Sequence, residues 1–83
     1  MQDEMTSIAD KVRGIAAEKR ADQDAVAKVL GLSRQAVNQR FNGRVPFAGA
    51  ELLRLARVFN TPITRFFPDE ALEFVKAAAS PAA

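Results

Sequence analysis

The sequence predicts an all-α fold, a compact bundle of five short helices with one further helix near the end of the chain. Apolar residues recur every three or four positions and nowhere alternate, which is the period of a helix. A length of 83 residues allows one small hydrophobic core. With 48% hydrophobic and 27% charged residues, the composition is typical of a soluble globular domain.

Capping residues mark the first two helices. Thr6 or Ser7 can cap the first, which we expect to end near Arg20, where a cation suits the negative end of the helix dipole. Asp22 can cap a second, short helix. Gly31 ends it, because glycine readily adopts the left-handed conformation that closes many helices.

The third and fourth helices lie between turn-forming residues. Ser33 can cap a third helix over residues 34–41, and the Asn-Gly pair at 42–43 ends it. After a connector, the apolar spacing predicts a fourth helix from about residue 48 to Phe59.

The last helices are delimited by proline. A short fifth helix begins at Pro62, since proline is well tolerated at the first helical position, and Pro68 ends it. Residues 69–79 can form a final helix, followed by a short tail.

The residue inventory argues against most enzyme chemistry. The chain contains no Cys and no His, so it lacks thiolate ligands, the commonest metal ligand and the commonest general base. No apolar run approaches the roughly 20 residues of a membrane span. We therefore expect no enzyme activity, cofactor, metal or membrane insertion, and no small-molecule ligand is evident.

Charge is distributed unevenly along the chain. Residues 25–68 contain seven basic residues and a single acid, Glu51, whereas the segments on either side are acidic. A basic middle suits a polyanionic partner at one face. The alternative is a solvated surface on which the arginines happen to be unevenly placed.

Residues 23–43 place two short helices on either side of a tight turn. Ala27 is small where the two helices would crowd each other, and Gly31 can adopt the positive φ that the turn needs. This pattern predicts a helix-turn-helix unit, in which the second helix enters the major groove of DNA.

The third helix is polar on the side that faces away from its apolar residues. If Val37 and Phe41 face the core, its outer face carries side chains that can read base edges. These are Arg34, Gln35, Asn38 and Gln39. The alternative is an inert amphipathic helix whose surface happens to lack acids.

Residues 23–43 resemble the DNA-binding domain of lambda/434-type phage repressors and Cro proteins, the Cro/C1-type helix-turn-helix family. The spacing of Gln23, Ala27, Gly31, Val37 and the Asn-Gly pair carries the likeness. Residues 50–67 are similar to the fourth and fifth helices of that family, and the resemblance becomes loose beyond residue 68.

The resemblance implies roles for individual residues. Arg34, Gln35 and Gln39 match base-reading positions, and Asn38 lies between them. Gln23 matches a glutamine that binds a backbone phosphate and braces the recognition helix.

Further phosphate contacts are expected around the third helix. Asn42 matches a phosphate-contacting asparagine, and Ser33 can hold phosphate at the positive end of the helix. Arg40 stands where the family has an apolar residue; Phe41 would take over the core contact and Arg40 would turn to the DNA backbone. Arg44 can add a contact from the following loop.

These observations predict a DNA-binding domain over residues 1–67 and a C-terminal helix and tail over 68–83 that can serve as a dimer contact. We expect a transcriptional regulator that binds a double-stranded operator as a homodimer and acts as a Cro-like phage or prophage repressor. Its expected location is the cytoplasm, at the nucleoid. The alternatives are an antitoxin that also binds a toxin, and a helical protein-interaction module with no DNA role.

Overall fold

The computed structural model describes residues 4–68, and in this part of the chain every regular element is a helix. Four α-helices come first: α1 (Glu4–Glu18), α2 (Gln23–Leu30), α3 (Arg34–Phe41) and α4 (Gly49–Val58). The predicted fifth helix is a single 3-10 turn, Ile63–Phe66. The all-α prediction is confirmed, and the helix predicted over 69–79 lies outside the described residues.

Helix α1 begins earlier than its capping residues suggested. It starts at Glu4, so Thr6 and Ser7 lie within the helix and the prediction that one of them caps it is wrong. Thr6 instead packs beside Gly43, where an added Cβ would stand 3.1 Å from the threonine Oγ1. The tertiary contact outweighs the local preference of threonine for a cap position.

The turn between α2 and α3 forms as predicted. Asp22 caps α2 by accepting a hydrogen bond from the amide of Ala25 at 2.9 Å. Gly31 closes α2 in the left-handed conformation, with φ 67°. Ser33 then caps α3, its hydroxyl oxygen accepting from the amide of Ala36 at 3.1 Å. Gly31 and the side-chain cap of Ser33 therefore fix the two helix ends that meet at this turn, and Asp22 fixes the opposite end of α2.

One small core lies among the helices. α2 packs against α3 and α4, while α1 packs against α3 and the 3-10 turn. The largest completely buried side chains are Phe66, Leu55, Val12, Val26 and Val37. Phe59 is also buried, and Phe47 and Phe67 pack against the core from its edge, so these aromatic rings serve packing.

Candidate nucleic-acid interface

Helix α3 is fixed in rotation by two buried side chains. Val37 is completely buried and Phe41 nearly so, and the ring of Phe41 also lies 6.2 Å from that of Phe47. Because side chains three or four positions apart share a helix face, this anchoring decides which residues of α3 face outward. Phe41 takes the core contact that the sequence analysis assigned to it.

The outward face of α3 presents the four predicted base-reading residues. Arg34, Gln35 and Asn38 are exposed, and Gln39 is half-buried. The face is polar along all of its length, since α3 contributes no other large apolar side chain than Val37 and Phe41. Guanidinium and amide groups on such a face can form paired hydrogen bonds with guanine and adenine.

The N-terminal end of α3 lies beside the first turn of α2. The Nε atom of Arg34 stands 3.7 Å from an oxygen of Asp24, and the two side chains remain 72% and 61% exposed. Gln23, half-buried, is the neighbour of Asp24 and the first residue of α2. The structure thus places the first turn of α2, which contains Gln23, beside the N-terminal end of α3, where Ser33 and Arg34 lie.

The C-terminal end of α3 leads into an exposed turn. Asn42 is exposed and its side-chain amide lies 3.4 Å from the oxygen of Asn38. Arg44 is exposed as well, although its backbone amide donates to the carbonyl of Gln39 at 2.9 Å. Both predicted phosphate contacts are therefore accessible and held next to α3.

Arg40 is placed differently from the sequence-based expectation. Its guanidinium binds Glu51 through two hydrogen bonds, at 2.9 Å from Nε and 3.2 Å from Nη2, and both side chains are only 15% exposed. A third hydrogen bond, at 3.0 Å, joins Nη1 to the carbonyl of Ala36. The side chain of Arg40 turns toward α4 because the carboxylate of Glu51 is within reach there. The spacing of residues in the sequence did not indicate this partner.

Glu51 is the residue beside α3 that the sequence patterns did not indicate. Partial burial alone would raise the pKa of Glu51, but the hydrogen bonds from Arg40 and from the amide of Ala48 and the charges of Arg40 and Arg54 outweigh it. The pKa of Glu51 is therefore below its ordinary value, and this carboxylate carries a full charge at neutral pH. Its position near the start of α4, where the N-cap residue is an alanine without a polar side chain, was the available signal.

No group of three or more acidic side chains among residues 4–68 is placed to hold a metal ion. No helix in this range is long and apolar enough to cross a membrane.

A family model described as helix-turn-helix matches residues 18–66, which is more than half of the chain. The chain therefore belongs to the helix-turn-helix family, of the Cro/C1 type that the sequence resembles. This membership supports a DNA-binding regulator. A search of curated proteins found no match.

Solved structures with the same fold include two proteins of similar size. The restriction-modification controller protein C.AhdI from Aeromonas hydrophila is 21% identical, with a TM-score of 0.68 over 76% of this chain and 96% of that one. A hypothetical transcription factor from Neisseria, NHTF, is 23% identical, with a TM-score of 0.70 over 88% and 86%. At these identities the likeness shows the fold.

The fold also occurs within an enzyme. Hydroxypropylphosphonic acid epoxidase from S. wedmorenis is 25% identical, with a TM-score of 0.71 over 82% of this chain but only 36% of the epoxidase. The likeness thus concerns about a third of that enzyme.

Proposed function

We propose that this protein is a sequence-specific regulator of transcription that reads duplex DNA with helix α3 and has no enzymatic activity. The observation that carries the proposal is the division of α3 into a buried side and an exposed side lined with guanidinium and amide groups. In the helix-turn-helix mode of binding, such a face lies in the major groove. Base contacts are assigned to Arg34, Gln35, Asn38 and Gln39.

The phosphate contacts are assigned to residues at the two ends of α3. Ser33 caps its N-terminal end, where helix amides and the helix dipole favour an anion, and Gln23 lies in the neighbouring first turn of α2. Asn42 and Arg44 lie at the other end, both exposed. This arrangement would let one recognition helix be held to the backbone at both of its ends.

We infer that the protein binds as a homodimer. An eight-residue helix is about 12 Å long and reads only a few base pairs, whereas two-fold dimers read half-sites one turn of DNA, about 34 Å, apart. The contact is assigned to the 3-10 turn and residues 68–79. Leu53 of α4 is 43% exposed and lies beside Ile63 of the 3-10 turn, so it can add apolar surface to this contact.

Repression is the proposed outcome of binding, as in Cro-like phage regulators, because a protein bound at a promoter excludes the polymerase. The site of action would be the cytoplasm, at the nucleoid. An antitoxin would share α3 and its DNA contacts but would also copurify with a toxin.

Selection of bound sites from random duplexes tests the proposal. We expect a two-fold symmetric motif and an affinity that falls with salt at a slope of about −0.9 for each phosphate contacted. Asymmetric, monomeric binding in sedimentation experiments would contradict the dimer while leaving DNA recognition intact. Absence of duplex binding at low salt would favour the protein-interaction module and contradict the proposal as a whole.

A further inference from the structure

A single carboxylate joins the end of the recognition helix to the start of α4. Oε1 of Glu51 accepts from Nε of Arg40 and from the amide of Ala48, each at 2.9 Å, while Oε2 accepts from Nη2 of Arg40. Ala48 has no side-chain acceptor of its own, so Glu51 supplies the polar cap at this helix start. Loss of the carboxylate would therefore remove a polar contact of the last turn of α3 and the cap of α4 together.

The guanidinium of Arg40 is also fixed within α3. Its Nη1 donates to the carbonyl of Ala36, one turn earlier, so the side chain lies back along its own helix before it reaches α4. Arg and carboxylate groups bound in this two-point geometry have little freedom to rotate. The pair therefore transmits the orientation of α4 to the last turn of α3.

A second polar side chain of α4 contacts the end of α2, just before the turn between α2 and α3. Arg54, one helical turn after Glu51, lies 3.5 Å from the carbonyl of Leu30, the last residue of α2. The same edge of α4 thus contacts α3 near its end and α2 just before the turn that leads into α3. Base reading requires placement within about 0.5 Å, which hydrophobic packing alone specifies less sharply than directed hydrogen bonds.

From this geometry we propose that Arg40 and Glu51 are positioning residues that set the angle of α3 in the major groove, and that Arg40 acts through Glu51 rather than on a DNA phosphate. The inference rests on the proposed function and deepens it. It assigns sequence discrimination, and not general DNA affinity, to a pair of side chains away from the base-reading face.

Four variants separate positioning from phosphate binding. Arg40→Met removes the charge, and Arg40→Lys keeps the charge but loses the two-point geometry. Glu51→Gln keeps one acceptor oxygen, for Nε of Arg40 and the amide of Ala48, but removes the negative charge and replaces the acceptor of Nη2 with an NH2 donor. Arg44→Met is the matched control, since it removes an exposed cation next to the same helix. Each is measured on the selected site and on a scrambled duplex over a range of salt, and amide hydrogen exchange of α3 is recorded without DNA.

Positioning predicts that both Arg40 variants lower the ratio of specific to non-specific affinity by about tenfold and leave the salt slope unchanged. Amide exchange near the end of α3 should accelerate by about three- to tenfold. Arg44→Met should instead reduce the slope by about 0.9 and weaken both duplexes alike. Glu51→Gln separates the two explanations most clearly. Loss of a negative charge alone would make the protein bind every duplex more tightly, whereas positioning predicts a lower ratio of specific to non-specific affinity.

The opposite results would overturn the inference. If Arg40→Met behaved like Arg44→Met, and Arg40→Lys bound normally, Arg40 would be a phosphate contact. Unchanged exchange in Glu51→Gln and Arg40→Lys would show that the pair does not hold α3. If the unsubstituted protein bound no duplex, the proposed function would fail and the inference about the groove with it, while the exchange data would still show whether the pair fixes the helix.

Discussion

The two ends of helix α3 each carry an arginine beside a carboxylate, yet the two pairs differ in almost every physical respect. Arg34 and Asp24 are 3.7 Å apart and largely exposed, whereas Arg40 and Glu51 form two hydrogen bonds and are 15% exposed. An exposed pair at this distance contributes little to stability because water and salt screen it. The first arginine is free to meet a ligand, and the second is used within the fold.

This difference shows that two arginines of one short helix can have different roles. A side chain bound at several points can define geometry but has few donors left for a partner. A loosely paired side chain gives up almost nothing when it exchanges its carboxylate for a base edge. We therefore call the N-terminal part of α3, where Arg34 is exposed, its free end, and the last turn, where Arg40 is bound to Glu51, its anchored end.

The largest expected effect follows from removing the apolar anchor of the last turn. Phe41→Ala would leave a cavity beside Phe47 and lower the free energy of unfolding by about 3–4 kcal/mol. Asn38→Ala, an exposed substitution on the same helix, should change it by less than about 0.5 kcal/mol. Urea denaturation measures both, and similar losses for the two would contradict the rotation of α3 described above.

A smaller loss is expected when the polar anchor is removed. Arg40→Met should reduce the free energy of unfolding by about 2 kcal/mol at pH 7, because charge-assisted hydrogen bonds in a partly buried site are lost. The pKa of Glu51 is lowered in the folded state, so the stability it contributes is present above its ordinary value of 4.5 and disappears as the pH falls through the folded-state pKa.

Urea denaturation of the unsubstituted protein and of Arg40→Met over a range of pH tests whether this contribution to stability disappears on acidification. The difference between them should be constant near neutrality and shrink on acidification below 4.5. The exposed Arg65–Glu18 pair, in which a hydrogen bond from Arg65 lowers the pKa of Glu18, is present in both proteins and cancels in the difference. A difference that stayed constant down to the lowest pH would show that the charge of Glu51 contributes nothing.

At the free end of α3, the expected effect is on DNA binding and not on folding. Arg34→Ala should cost about 1–3 kcal/mol of binding free energy on the selected site and relax the base preference at one position of each half-site. Lys11→Ala, which removes an exposed cation from α1, serves as the control and should leave that preference unchanged. Equal losses on every duplex would move Arg34 from the base contacts to the phosphate contacts.

Local signals in the sequence were sufficient for most of the fold. Gly31, Asp22 and Ser33 act within three or four residues of their own position, so their roles as helix boundaries could be read directly from the chain. Two features that the sequence did not indicate are long-range contacts. Thr6 packs against a turn 37 residues away, and Arg40 finds its carboxylate eleven residues away on another helix.

In the candidate site, too, some features follow from local sequence patterns and others depend on long-range contacts. The exposed face of α3 follows from helical periodicity once Val37 and Phe41 are taken as buried. The partner of Arg40 depends on how α4 crosses α3, and no periodicity within one helix contains that information. The proposal that this surface reads DNA rests on the motif, whereas the different environments of Arg34 and Arg40 are visible only in the tertiary structure.

The smallest expected effect tests the looser of the two pairs. Asp24→Asn removes the only carboxylate paired with Arg34 in the structure of residues 4–68, together with a negative charge next to the proposed DNA surface. The free energy of unfolding should change by less than about 0.5 kcal/mol, because the pair is exposed. Affinity for the selected site and for a scrambled duplex should rise by the same small factor, with the base preference retained, since the lost charge repels any phosphate. If discrimination fell instead, Asp24 would be holding Arg34 in place, and the contrast between a free end and an anchored end of α3 would no longer stand.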